Sequence, residues 1–145
     1  MRKSAGFTLL EIVLVLAIAV AVYAVLLGVP MRGSSADLKA AARTLASALR
    51  QAQTTAMATR HDATLTIDLQ SREFLVAGEK EPRKLPEDID LKLYTAESEV
   101  RSQRVGAIRF YPDGSSTGGR ITVSSGERKF LVDVDWLTGR VSIED

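Results

Sequence analysis

The chain has 145 residues, room for one modest domain with appendages. With 19 Lys+Arg against 18 Asp+Glu the net charge is +1, so no global field recruits a polyanion. The 46% hydrophobic content excludes disorder, and the absence of cysteine excludes disulfides, thiolate chemistry and Cys-based zinc sites.

The average conceals a partition. Arg2 and Lys3 open the chain, Glu11 follows, and Ile12 to Val29 carries no charge at all. Residues 31–145 are electrically neutral in sum. As a helix, Phe7 to Val29 would be about 34 Å long, enough for a hydrocarbon core of roughly 30 Å. The two basic residues on its short N-terminal side assign that end to the cytoplasm. A cleaved secretory signal competes with a retained anchor. Ala17-Ile18-Ala19, Ala19-Val20-Ala21 and Val22-Tyr23-Ala24 all offer small residues at suitable spacing, but the apolar run continues past them. Glu11 is costly inside an apolar helix, less so near its edge. Arg2 and Lys3 are poorly placed to pair with it on one helix. Either the side chain reaches the interface or another chain supplies a cation.

Arg2-Lys3-Ser4-Ala5-Gly6-Phe7-Thr8-Leu9-Leu10-Glu11 ahead of an apolar helix resembles the N-terminal signal of type IV pilins and type II secretion pseudopilins. The resemblance implies cleavage after Gly6 by a membrane prepilin peptidase and N-methylation of the new terminus, Phe7. It also implies that the Glu11 carboxylate pairs with the freed terminal amine of a neighbouring subunit as a filament grows. Leu10 stands where the family usually has Ile.

Pro30 ends or kinks the rod. Ser35 is read as an N-cap with Asp37 in the first turn of a second helix. Leu38, Ala42, Leu45, Leu49, Ala52 and Ala56 form one apolar stripe, with Arg43, Ser47, Arg50 and Thr54 opposite. From Ala63 the period becomes two. Leu65, Ile67 and Leu69, then Phe74 and Val76, then Ile89, Leu91 and Leu93 are the inward positions. Ile108 and Phe110 precede a loop over 112–119, after which Ile121 and Val123 resume. Phe130, Val132, Val134 and Trp136 follow, and a turn at Leu137-Thr138-Gly139 leads into Val141 and Ile143. Such alternation predicts six or seven antiparallel strands with one wet face, hence an α+β fold. Residues 78–88 and 95–106 are expected as the most mobile loops.

Candidate chemistry is thin. Gly114-Ser115-Ser116-Thr117-Gly118 fits the hydrolase-elbow spacing, but a strand rather than a helix leaves it, and the single histidine, His61, lies upstream. His61 has no companions for a metal site, and Asp88/Asp90 and Asp133/Asp135 lack a calcium-loop spacing. Arg101, Arg104, Arg109, Arg120, Arg128 and Arg140 are interspersed with acids, and the chain ends Glu144-Asp145, so nucleic acid is not an expected partner. The reading is of a non-enzyme without cofactor or metal.

Ile108 to Ile121, with its glycine-rich loop, and Val134 to Val141 are similar to the paired hairpins of H-type minor pseudopilins. That resemblance implies a pilin-like fold in four parts: a cleaved leader 1–6, a membrane-spanning and filament-core helix 7–30, a periplasmic amphipathic helix 31–61 and an antiparallel β domain 62–145. It implies a minor subunit near the tip of the periplasmic pseudopilus of type II secretion, anchored by a single pass in the bacterial inner membrane. Its implied partners are other minor and major pseudopilins, prepilin peptidase and the inner-membrane assembly platform, with secreted cargo as a further candidate. Two alternatives stand beside it. One is a minor type IV pilin of pilus assembly or DNA uptake. The other is a soluble secreted protein starting at Val22 or Val25.

Overall fold

In the computed structural model, residues 8–26 and 35–145 are described, and Gly6, Phe7 and Pro30 lie outside them. The chain divides into two units, residues 1–31 and residues 32–145. In the first, α1 (Leu9–Leu26) has an apolar sequence broken only by Glu11 and Tyr23. Its 18 described residues make about 27 Å of helix. Among the described residues no helix is long and apolar enough to cross a membrane.

The second unit is built on α2 (Ser35–Thr59). The helix takes in Ser35, so this residue opens the first turn instead of capping it. Every stripe position from Leu38 to Ala56 is buried, and Ala41, Ala46 and Ala48 join them. Small side chains let the helix axis approach the strands closely, while Leu38, Leu45 and Leu49 fill the space between. Arg43, Ser47, Arg50 and Thr54 are exposed, as the period requires.

Eight strands follow: β1 (Ala63–Asp68), β2 (Glu73–Val76), β3 (Arg83–Lys84), β4 (Asp90–Thr95), β5 (Val105–Phe110), β6 (Gly119–Ser125), β7 (Arg128–Val134) and β8 (Val141–Glu144). They form two antiparallel sheets, ordered β3-β2-β1-β5 and β4-β6-β7-β8. The chain therefore changes sheet at β3–β4, at β4–β5 and at β5–β6. Inward residues meet in register, Leu65 opposite both Val76 and Ile108, and Val132 opposite both Ile121 and Ile143. α2 lies against strands of both sheets, so one core serves both. The Thr95 hydroxyl of β4 donates to the Ala107 carbonyl of β5 at 2.7 Å, stitching one sheet to the other.

Eight strands stand where six or seven were expected, and three further sequence expectations need correction. Residues 78–88 hold β3, because Arg83 lies over the Phe74 ring at 5.6 Å, pairs with Glu79 and donates to Gln51 at 2.8 Å, while Leu85 is buried. Residues 95–106 hold a 3-10 turn, Glu97–Glu99, whose last carboxylate is buried against Arg109. Trp136 is not an inward strand residue. β7 ends at Val134, and the Asp135 carboxylate accepts hydrogen bonds from the Leu137 and Thr138 amides at 3.1 and 2.8 Å. This closes a turn that swings the indole outward, leaving it 66% exposed.

That turn also touches α2. The Gln53 amide donates to the Gly114 carbonyl at 2.8 Å and to the Thr138 carbonyl at 3.1 Å, tying two loops to one helix. Gly139 has φ of 66°, and a methyl group there would collide with the Gly114 carbonyl and the Gln53 side chain. Gly126 has φ of 62° but open space around it. Gly126→Ala is expected to cost only backbone strain, about 1–2 kcal/mol. Gly139→Ala must in addition displace Gln53, so its thermal midpoint should fall further. Equal midpoints for the two variants would show that the junction contributes nothing.

Candidate functional site

The site residue that the structure describes, Glu11, lies in the first turn of α1. Thr8 sits just before the helix, and its hydroxyl accepts from the Glu11 amide at 3.3 Å. The Thr8 carbonyl accepts from the Glu11 and Ile12 amides at 3.1 and 3.2 Å. Thr8-Leu9-Leu10-Glu11 is thus a capping-box spacing, which satisfies helix N–H groups that would otherwise lack partners. The same turn places the carboxylate at the positive end of the helix dipole. That spacing is legible in the sequence, but the capping role is separate from the two sequence readings of Glu11, a side chain reaching the interface or an ion-pair partner.

Beyond Glu11 the helix is apolar on every face. Each large side chain from Leu9 to Tyr23 is more than half exposed. At about 25 cal/mol for each Å² of apolar surface left in water, such a helix is unstable without a covering, whether lipid or other helices. A carboxylate at one end of this surface can recognise one thing through that apolar contact, a cation brought alongside it. Gly6 and Phe7, the expected cleavage and methylation positions, lie outside the described residues, so the structure brings neither to Glu11.

The motifs of the second unit serve the fold. The Ser116 hydroxyl donates to the Arg109 carbonyl at 2.7 Å and accepts from the Gly118 amide at 3.0 Å. His61 is exposed, its Nδ1 2.8 Å from the Thr59 carbonyl. Arg109 carries a two-point contact to Glu99, at 2.8 and 3.3 Å, and faces Asp62 at 3.6 Å. The Glu99 bonds hold this guanidinium's pKa above its ordinary value. Arg120 pairs with Asp133 across neighbouring strands at 2.7 Å. Two of the scattered arginines are therefore neutralised, and the pairing partners came from topology rather than from adjacency in sequence. Among the described residues no cluster of His, Asp and Glu has the makings of a metal site.

An apolar helix with an acidic first turn, and an amphipathic helix laid over antiparallel sheets, together define a pilin-like protein. The solved structures agree on the fold. The chain is similar to the type IV minor pilin FimU of Pseudomonas aeruginosa PAO1, with TM-score 0.59, 14% identity, and 77% of this chain and 90% of that one covered. It is equally similar to the minor pseudopilin EpsH of the Vibrio cholerae type 2 secretion system, with TM-score 0.59, 13% identity, and 74% and 96% covered. The particular family follows from sequence. Residues 41–138 match the family described as type II transport protein GspH, and residues 1–27 match the prokaryotic N-terminal methylation motif. The chain belongs to the GspH family. It is 34% identical over 142 residues to a protein named type II secretion system protein H from Xanthomonas campestris pv. campestris, spanning 97% of this chain and 83% of that one.

The turn carboxylates give the second unit an acid sensitivity. Hydrogen bonds from Ser115, side chain and amide, hold Asp113 below the usual carboxylate range. The Thr138 amide and hydroxyl do the same for Asp135, and the Ser71 and Gln70 amides for Asp68. A lowered folded-state value means stabilisation present above the unfolded value of about 4 and lost as pH falls through the folded one. The thermal midpoint should therefore be flat from neutral pH to about 5 and drop below about 4. In Asp135→Asn, which keeps an acceptor without the charge, the drop should be shallower. An unchanged acid profile would remove Asp135 from this account.

Proposed function

We propose that this chain is a minor pseudopilin of the type II protein secretion system, a structural subunit near the tip of a periplasmic pseudopilus. The observation that carries the reading is α1, an exposed apolar helix with one carboxylate in its first turn, in a chain of the GspH family. Residues 7–30 serve first as a single-pass anchor in the bacterial inner membrane and then as part of the filament core, with the second unit in the periplasm. The membrane reading rests on the length of the apolar sequence from Phe7 to Val29.

The mechanism is assembly rather than turnover. Prepilin peptidase removes residues 1–6, and methylation of Phe7 leaves a terminal amine that is still protonated. Glu11 is the acidic partner for that amine on an adjacent pseudopilin. Pairing neutralises a carboxylate that apolar surroundings would otherwise penalise by a few kcal/mol, so a neighbour in correct register is favoured over one out of register. The assembly platform then moves subunits from lipid into the filament, exchanging one apolar covering for another. Hydrolysis and methylation are the processing enzyme's chemistry; this chain supplies the Gly6-Phe7 bond that is cut and the Phe7 amine that accepts the methyl group.

The minor-pilin alternative has the same fold, since the TM-scores to FimU and to EpsH are both 0.59. The 34% identity across 97% of the chain to a secretion protein H favours the secretion reading.

Mass spectrometry of protein purified from its native envelope should find N-methylated Phe7 as the first residue. A start at Val22 or Val25 would overturn the proposal. Gly6→Val should leave only the unprocessed form on a denaturing gel. Glu11→Ala should still insert and fold, yet be missing from sheared filament fractions, and normal incorporation would sink the pairing step.

A further inference from the structure

The buried face of α2 is accounted for by the two sheets; on the exposed side, along one flank, it carries Lys39, Arg43 and Arg50. At 3.6 residues per turn these three fall within about 40° of one another and extend along about 16 Å of helix. Beside them, nearer the centre of the exposed side, stand Ala36, Ala40, Ser47 and Thr54. Asp37, the single carboxylate of α2, lies about 120° round the helix from Arg43. Glu79, which bonds Gln51, is engaged by Arg83. Among the described residues none of the three cations is in an ion pair, and Arg50 donates to the Val141 carbonyl at 3.1 Å. The unit as a whole is neutral in sum, so this ridge is a local concentration of one sign.

We propose that the Lys39–Arg43–Arg50 ridge of α2 docks an acidic helical segment of a neighbouring filament subunit, one with carboxylates four and seven residues apart. This rests on the pseudopilin reading and extends it from the apolar rod to the periplasmic helix. Charge complementarity selects the sign of the partner, since cations lined up on one helix face meet carboxylates spaced likewise on another. The small side chains beside the ridge allow a helix axis to approach to within about 8–10 Å, close enough for direct ion pairs along its flank. A lipid surface suits this ridge less well, because the apolar face of α2 is buried in its own core and has nothing left to insert. Single-stranded nucleic acid would want aromatic side chains among the cations, and this face has none.

The test places a photo-reactive benzoylphenylalanine at Ser47 in the full-length chain, with a second probe at Val13 of α1 in a separate sample, both irradiated in the native envelope. The expected Ser47 adduct maps to a helix with carboxylates at those spacings. Lys39→Glu combined with Arg43→Glu should cut its yield about tenfold, since each reversal turns an attraction into a repulsion. Changing the mapped carboxylates to Lys should restore the yield. Should the reversed variant misfold, Lys39→Gln with Arg43→Gln should lower the yield by a smaller factor. Ser47 adducts on lipid, on nucleic acid or on a segment without carboxylates would overturn the proposal, as would a yield indifferent to the ridge charges. Val13 adducts to pilin-like chains without any from Ser47 would overturn it alone. Adducts from neither position would overturn the functional reading with it.

Discussion

The second unit depends on a single act of burial, the seating of one face of α2 against two sheets at once. Nine residues from Leu38 to Ala56 are removed from water by that contact. They are mostly alanine because a helix shared by two sheets must approach both. Among the described residues α2 is the one α-helix packed on these strands, and an uncovered four-stranded sheet is marginal in water. The helix is therefore the common third layer, and the strand crossings between sheets are tolerable because both ends of each crossing face the same core.

Polar side chains complete what this packing leaves open. Gln53 reaches from α2 to two loop carbonyls, Arg72 reaches the Ile89 carbonyl at 2.7 Å, and Arg50 reaches the carbonyl of Val141. Among the described residues no buried side-chain nitrogen or oxygen lacks a partner. The buried Glu99 is the most exacting of these, since a carboxylate without Arg109 would be an uncompensated charge at the edge of the core. Such contacts are individually modest, yet they decide where each loop is held.

α1 has the opposite physics. Its apolar surface is continuous and unsatisfied, while the second unit is internally satisfied and balanced in charge. One chain thus combines an element that cannot remain in water with a unit that folds in it. The assembly mechanism proposed above needs that combination, because in it the rod exchanges coverings while the folded unit keeps its shape.

Much of this was legible in the residues themselves. The apolar rod, the α2 stripe and most inward strand positions follow from local pattern, because burial imposes a period on each element separately, whereas the roles expected of Gly6, Phe7 and Glu11 came from a resemblance. The two-sheet division, the short β3, the outward Trp136 and the Glu99–Arg109 pair did not follow. Charged segments 78–88 and 95–106 look like free loops when read alone, and become ordered only because Phe74 and Arg109 lie nearby in space. Trp136 continues the alternation on paper, but the Asp135 turn ends the strand before it. Local sequence determined which faces were apolar and which end matches the N-terminal methylation motif. Tertiary structure decided which charges met and where each strand stopped, because those outcomes depend on neighbours that only the folded chain brings together.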